Sequence, residues 1–244
     1  MVDLATMRFG VGSHDATDAP TGDRDLCIME AVAYMAGEPW SDTPACASPV
    51  IAAFLRSWND ALSDEDRDRH LPADKWVPRL VGSRGDNATE ERRAYLALDW
   101  LIRVHAPAWL DLVPSLAPHA AALRALPDVR DMPSAQVAGS VVVAARDAAA
   151  GLWDTAAWDT AAWDTAAWDA ARASAVTAAW DAARAAAGAA ARAAAGAAAV
   201  NAARAAAARA AFRPTVEPLQ ESALDLLDRM LACGEHRDNR EEKP

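Results

Sequence analysis

WDTAAWDTAAWDTAAWDAARASAVTAAWDAARAAAGAAARAAAGAAAVNAARAAAARAAF (residues 153–212) is alanine marked at intervals by one large or charged residue. Alanine has the highest helix propensity, and no proline interrupts the tract before Pro214, so the composition predicts helix. The spacing is not helical. Trp153, Trp158, Trp163 and Trp168 recur every five residues, whereas from Trp168 onward Arg172, Val176, Trp180 and Arg184 recur every four. On a helix of 3.6 residues per turn, a step of five rotates the marked position by about 140° and a step of four by about 40°. The four tryptophans therefore point to all sides and cannot form one seam. Two placements stay open: a central helix whose tryptophans fill different gaps, or a surface helix of variable length.

A pentapeptide β-solenoid is the rival fold for such a repeat. Solenoids of that kind set an Asp or Asn before the large residue, but Asp154, Asp159 and Asp164 follow it, and the period of five is lost after Trp168. The perfect copies read as tandem duplication. A five-residue insertion would turn everything downstream by about 140°, which a close-packed core does not accept. The tract is therefore expected to be a length-tolerant helical scaffold rather than the seat of a catalytic site.

The flanking sequence is also helical in pattern. DLCIMEAVAYMAG (25–37) offers Asp25 as N-cap, Ile28, Val32 and Met35 at helical spacing, and Gly37 as a stop. In SPVIAAFLRSWNDAL, Ser48 caps, Pro49 takes the first helical position, and Val50, Phe54 and Trp58 share a face. Ser63 and Asp66 have capping-box spacing, with Pro72 ending the short helix between them. ADKWVPRLVGS is ambiguous between a helical turn and an extended connection. TEERRAYLALDWLIRVHA carries acids in its first turn, a stripe through Leu98, Leu101 and Ile102, and Pro107 after it. Short helices are expected at PAWLDLV and PHAAALRAL. The last helix, PTVEPLQESALDLLDRMLA, puts Val216, Leu219, Ala223, Leu227 and Met230 on one face. No stretch alternates with period two, so the expected fold is all-α. It divides into an N-terminal helical module (1–130), alanine-rich helices with a C-terminal amphipathic helix packing back (131–234), and a disordered charged tail (235–244).

The net charge of −11 disfavours nucleic acid as a partner. All but two of the 24 basic residues are arginine, which reads as the codon bias of a GC-rich genome rather than as phosphate binding. Charged residues break every apolar stretch, so no membrane span is expected. MVDLATMRFG lacks a secretion-signal pattern, and the expected compartment is the cytoplasm. Three widely spaced cysteines do not make a disulfide framework.

Reactive residue types cluster only at the front. With Asp25 as cap, Cys27 falls on the first helical turn, where the helix dipole lowers a thiol pKa. His14 could act as its base and Asp15 orient that base, the logic of a thiol nucleophile. Alternatively His14, Cys27 and Cys46 supply three ligands of a structural zinc, with Asp42 or Glu30 as the fourth. The bland reading is that cysteine is a small buried residue, and that Glu30, one turn after Cys27, faces solvent or bonds to the preceding loop. His70, His105 and His119 read as capping or surface residues, and Cys233 as incidental.

The segments GSHD, CIMEAVAYMAGEPWSDTPACASPVIAAFLRSWND and LQESALDLLDRML resemble a group of uncharacterised actinobacterial and phage proteins that combine this front block, a variable Ala/Trp/Arg tract and this last helix. AAWDAARAAAGAAARAAAG is similar to the alanine-rich tracts of Imm-5-type immunity proteins. Neither resemblance implies a catalytic residue. The expectation is a non-enzymatic protein-interaction or scaffold protein, immunity-like in one form, with a protein partner and room for a homo-oligomer. The alternative is a small metal-binding or thiol-dependent module built on His14, Cys27 and Cys46.

Overall fold

A computed structural model describes residues 3–15, 23–153 and 202–235. The repeat from Asp154 onward and the charged tail beyond Glu235 lie outside the described residues. The fold is all-α. Among the described residues there is no strand, only a single bridge between Arg8 and Asp23.

The chain forms two compact units: Met1–Arg93 with Leu227–Pro244, and Ala94–Leu226. The end of the last helix, from Leu227, belongs to the same unit as Met1–Arg93.

In the first unit, α1 (Ile28–Ala36) packs against α2 (Pro49–Ala61) and α4 (Ala73–Leu80), with α3 (Asp64–His70) between the last two in sequence. Ile28, Met29, Ala31, Val32 and Ala33 are all buried, so α1 is enclosed on nearly every side rather than along one stripe, and Met35 is exposed. Gly37 closes α1 in the left-handed conformation at φ 69°, where its lack of a Cβ removes the steric penalty. Ser48 accepts from Ile51 N with Pro49 just inside α2, and Ser63 accepts from Asp66 N, both as their sequence signals predict. ADKWVPRLVGS resolves as helix: Ala73, Trp76, Val77 and Leu80 are buried at i, i+3, i+4, i+7, and this apolar face outweighs the bond lost at Pro78.

In the second unit, α5 (Asn87–Trp100, begun in the first unit) passes into a π-helical turn (Leu101–His105) and then α6 (Ala106–Leu110). Pro107 was expected to end the helix. The wider turn, in which Ala106 N donates to Leu101 O, carries the backbone past the proline ring instead. A short 3₁₀ turn (Pro114–Leu116) leads to α7 (Ala117–Arg124), which contacts α6 and α8 (Met132–Trp153). The last helix, α9 (Ala202–Glu235), starts well before Pro214 and runs through both Pro214 and Pro218. These two prolines lie four residues apart and both are exposed, so the backbone bonds they remove are on the wet side of the helix. Within this unit Trp100 Nε1 donates to Ser222 Oγ at 2.9 Å, and the Trp109 and Phe212 rings lie 6.1 Å apart.

Leu227, Met230 and Leu231 of α9 are buried and belong to the first unit. There Arg93, itself buried, donates from Nε to Met230 O at 2.8 Å, and Arg79 meets Asp228 at 2.7 Å. The last helix does pack back.

Candidate functional site

The polar cluster at the front is built where residues 3–15 cross the start of α1 and the end of α2. α1 does not begin at Asp25: its N-cap is Cys27, two residues later. The reason is Glu30, three residues after Cys27, which reaches back so that its Oε2 accepts the Cys27 N–H at 2.7 Å and completes a capping box with cysteine in the place of serine. The same carboxylate holds His14. Its Oε1 accepts the His14 N–H at 2.7 Å, and its Oε2 lies 2.9 Å from His14 Nδ1. His14 O in turn accepts the Trp40 indole N–H at 2.8 Å. Glu30 is 1% exposed, and the His14 side chain 22%.

Upstream, the same segment is tied by its carbonyls. Asn59, fully buried, donates from Nδ2 to Gly10 O at 2.7 Å, and Gly12 N donates to Asp60 Oδ1 at 2.8 Å. Arg67, also buried, bonds Asn59 O, Leu62 O and Phe9 O and closes on Asp64 Oδ1 at 2.7 Å. Gly10 is needed here because a Cβ would stand 2.4 Å from Arg24 O and 2.7 Å from His14 Nε2. Each of these polar side chains thus serves a main-chain group of the segment 3–15, of the α1 start or of the α2–α3 corner.

This arrangement changes the chemistry open to Cys27. Burial pushes its thiol up to about 12, outweighing the backbone N–H groups of the helix start. At neutral pH it is a protonated thiol and not the nucleophile that a first-turn position suggests. His14 is oriented by Glu30, not by Asp15. Cys46 lies in the loop before α2, where its carbonyl accepts from Arg84 N. Among the described residues no three His, Cys, Asp or Glu side chains are placed to hold a metal ion, so His14, Cys27 and Cys46 do not converge as a zinc site. Glu30, one of the two residues offered as fourth ligand, is engaged by His14 and Cys27 themselves. The expected result of iodoacetamide treatment at pH 8 is that Cys27 stays unmodified in the folded protein and reacts only after denaturation. Peptide mapping that finds native Cys27 alkylated as fast as a free thiol would contradict the buried, protonated state.

No family model, no curated protein and no solved structure matches the chain.

A second buried network escaped sequence reasoning. Glu90 accepts from Ser48 Oγ, from Gly85 N at 2.8 Å and from Arg93 at 2.7 Å, and Arg93 also bonds Ser83 O. The Glu90–Arg93 spacing (i, i+3) is a signal of pairing, but exposed helices carry the same spacing, and only the fold buries it.

In the second unit, His105 sits on the π-helical turn between Trp100 and Trp109, with ring centroids 5.1 and 6.2 Å away. It is not the surface residue expected. Its Nε2 accepts the Trp109 indole N–H, and burial lowers its pKa to about 4. Because the unfolded imidazole titrates near 6.5, the unfolded chain binds the extra proton between the two values. The contribution is complete above about pH 6.5 and is lost as pH falls towards 4, by about 3 kcal/mol. Urea titrations at pH 7 and pH 4 should show that His105→Leu removes this share of the acid sensitivity. Equal acid sensitivity in both proteins would contradict a neutral, part-buried His105.

Proposed function

We propose that the chain is a non-enzymatic protein-interaction protein, with the alanine-rich tract between Trp153 and Ala202 supplying length rather than chemistry. The observation that carries this reading is the use of the front cluster: Glu30, Asn59 and Arg67 are spent on the protein's own backbone, and the His14 ring on the Glu30 carboxylate. The rival metal or thiol module on His14, Cys27 and Cys46 is disfavoured by the protonated, buried thiol and by the lack of convergence of the three side chains. Apolar side chains that face outward on the same unit support a partner surface: Val11 is 57% exposed, and Tyr34 and Met35 at the end of α1 are 37% and 41% exposed. The net charge of −11 argues against nucleic acid as that partner. No helix among the described residues is long and apolar enough to cross a membrane. A cytoplasmic location belongs to the same reading.

The test is capture of the native protein from its host, with elemental analysis of the same sample. A stoichiometric protein partner that is lost from a Val11→Ser, Tyr34→Ser, Met35→Ser variant of unchanged melting temperature is the expected result. A sample with no stoichiometric partner, or with a stoichiometric metal that disappears in Cys46→Ser, would overturn the reading in favour of the rival.

A further inference from the structure

On the first unit, the end of α1 and the segment that crosses it form one continuous surface. Tyr34 stands one turn after Glu30 on α1, the Glu30 carboxylate holds His14 at 2.7 and 2.9 Å, and His14 O takes the Trp40 indole N–H at 2.8 Å. The loop after α1 closes this ring of contacts, because Gly37 N donates to Tyr34 O and Glu38 N to Ala33 O. Tyr34, Met35 and Pro39 are exposed on it, and His14 and Trp40 are half-buried. Tyrosine, tryptophan and methionine are residue types that protein interfaces enrich.

The charge around this surface has one sign in excess. Neither lysine nor arginine occurs from Phe9 to Asp23 or from Asp25 to Leu55. Asp15, next to His14, is exposed and has no partner among the described residues. Glu38 spends one oxygen on Ala45 N, and Asp42 faces Arg56 at 3.7 Å. In the same loop Arg84 donates to Ala45 O. Four acids, Asp15, Glu30, Glu38 and Asp42, thus meet two arginines. A wholly apolar partner laid on Tyr34 and Trp40 would strand Asp15 and Glu38 without a counter-charge, which is costly once water is excluded. An acidic partner would be repelled. A partner that brings cations beside its apolar side chains meets both features at once.

We propose that this surface docks a basic amphipathic protein segment, with its apolar side chains on Tyr34, Met35 and Trp40 and its lysines or arginines beside Asp15 and Glu38. The inference rests on the protein-interaction reading and adds to it the chemistry of the partner. A cation laid over the Tyr34 or Trp40 ring gains a cation–π contact as well. Because Asp15 is exposed, its attraction for the partner is screened by salt, so association weakens as ionic strength rises.

Fluorescence anisotropy of a labelled leucine–lysine peptide patterned as an amphipathic helix, titrated with the full chain, tests it. Saturable one-to-one binding that weakens with salt is expected, with the leucine–glutamate analogue at least about tenfold weaker. Tyr34→Ser with Met35→Ser should weaken the lysine peptide by about tenfold or more at unchanged melting temperature. Asp15→Lys, which removes no bond among the described residues, should do the same and decides the matter if the double variant does not fold. Val143→Ser, at an exposed side chain of α8, should leave the affinity unchanged. Equal binding of the glutamate peptide, affinity indifferent to salt, or the same loss in Val143→Ser as in the double variant would overturn the proposal. So would light scattering that shows the chain associating with itself through Tyr34 and Met35, because a second copy would then occupy the surface. A partner captured from the host that is lost in the double variant yet carries no basic segment would overturn the partner's chemistry and leave the protein-interaction reading standing, whereas capture of no partner would remove both.

Discussion

Replacing Glu30 by Ala should lower the stability of the protein by about 3–5 kcal/mol, because buried donors left without acceptors cost about 1–3 kcal/mol each. Three groups lose their acceptor at once: His14 N, His14 Nδ1 and Cys27 N. The desolvation of the carboxylate is recovered, which keeps the total below the plain sum. Glu30→Gln should cost nearly as much, since its amide NH₂ would confront N–H groups where the carboxylate oxygen accepted. Cys27→Ser, by contrast, should be mild, because serine is a preferred residue at a helix N-cap and fits the capping box directly. Urea midpoints at constant m-value measure all three. A Glu30→Gln variant as stable as wild type would mean that the carboxylate is present for something other than the fold.

Leu227→Ala should cost about 2–5 kcal/mol, the range for a leucine truncated in a core that cannot collapse onto the space. Leu227 is fully buried, as is Met230 one turn on, and both belong to the N-terminal unit although more than 130 residues separate them from Arg93 in sequence. The contrast is Val137→Ala on α8, where the side chain is 60% exposed and the change should stay within about 0.5 kcal/mol. A Leu227→Ala effect as small as that of Val137→Ala would show the end of α9 to be peripheral.

The elements that read well from sequence are those whose ends are set by local chemistry. Ser48 before Pro49, Ser63 before Asp66, and Gly37 after Ala36 each act within four residues, so their signals survive in the linear chain. The start of α1 read less well because the cap is chosen by Glu30 reaching back to an unusual capping residue, Cys27, while Asp25 offers the commoner side chain. Proline misled twice. Pro107 and Pro214 look like breakers, but a π-helical turn accommodates the first and solvent on the exposed face of α9 the second.

The candidate site was legible in its residue types and not in its geometry. His14, Cys27 and Glu30 do meet, as their clustering suggested, but the partner of His14 is Glu30 rather than Asp15, and Cys46 stays outside. The bonds that decide this join residues 16 to 58 positions apart, such as His14 to Glu30 and Arg67 to Phe9, and no local spacing encodes them. Asn59 and Arg67 looked like ordinary polar positions on helices. Burial turned them into anchors for the backbone of residues 9 and 10.

The fastening of residues 3–15 by Glu30, Asn59 and Arg67 is tested most directly by native-state amide hydrogen exchange at His14 and Gly12, whose N–H groups donate to Glu30 and Asp60. Protection at His14 approaching that of the α1 amides, and its loss in Glu30→Gln while α2 remains protected, is the expected outcome. Exchange of His14 in the wild-type protein at the rate of an unstructured loop would contradict a structural clamp, and would return His14 and Glu30 to the list of residues free for chemistry.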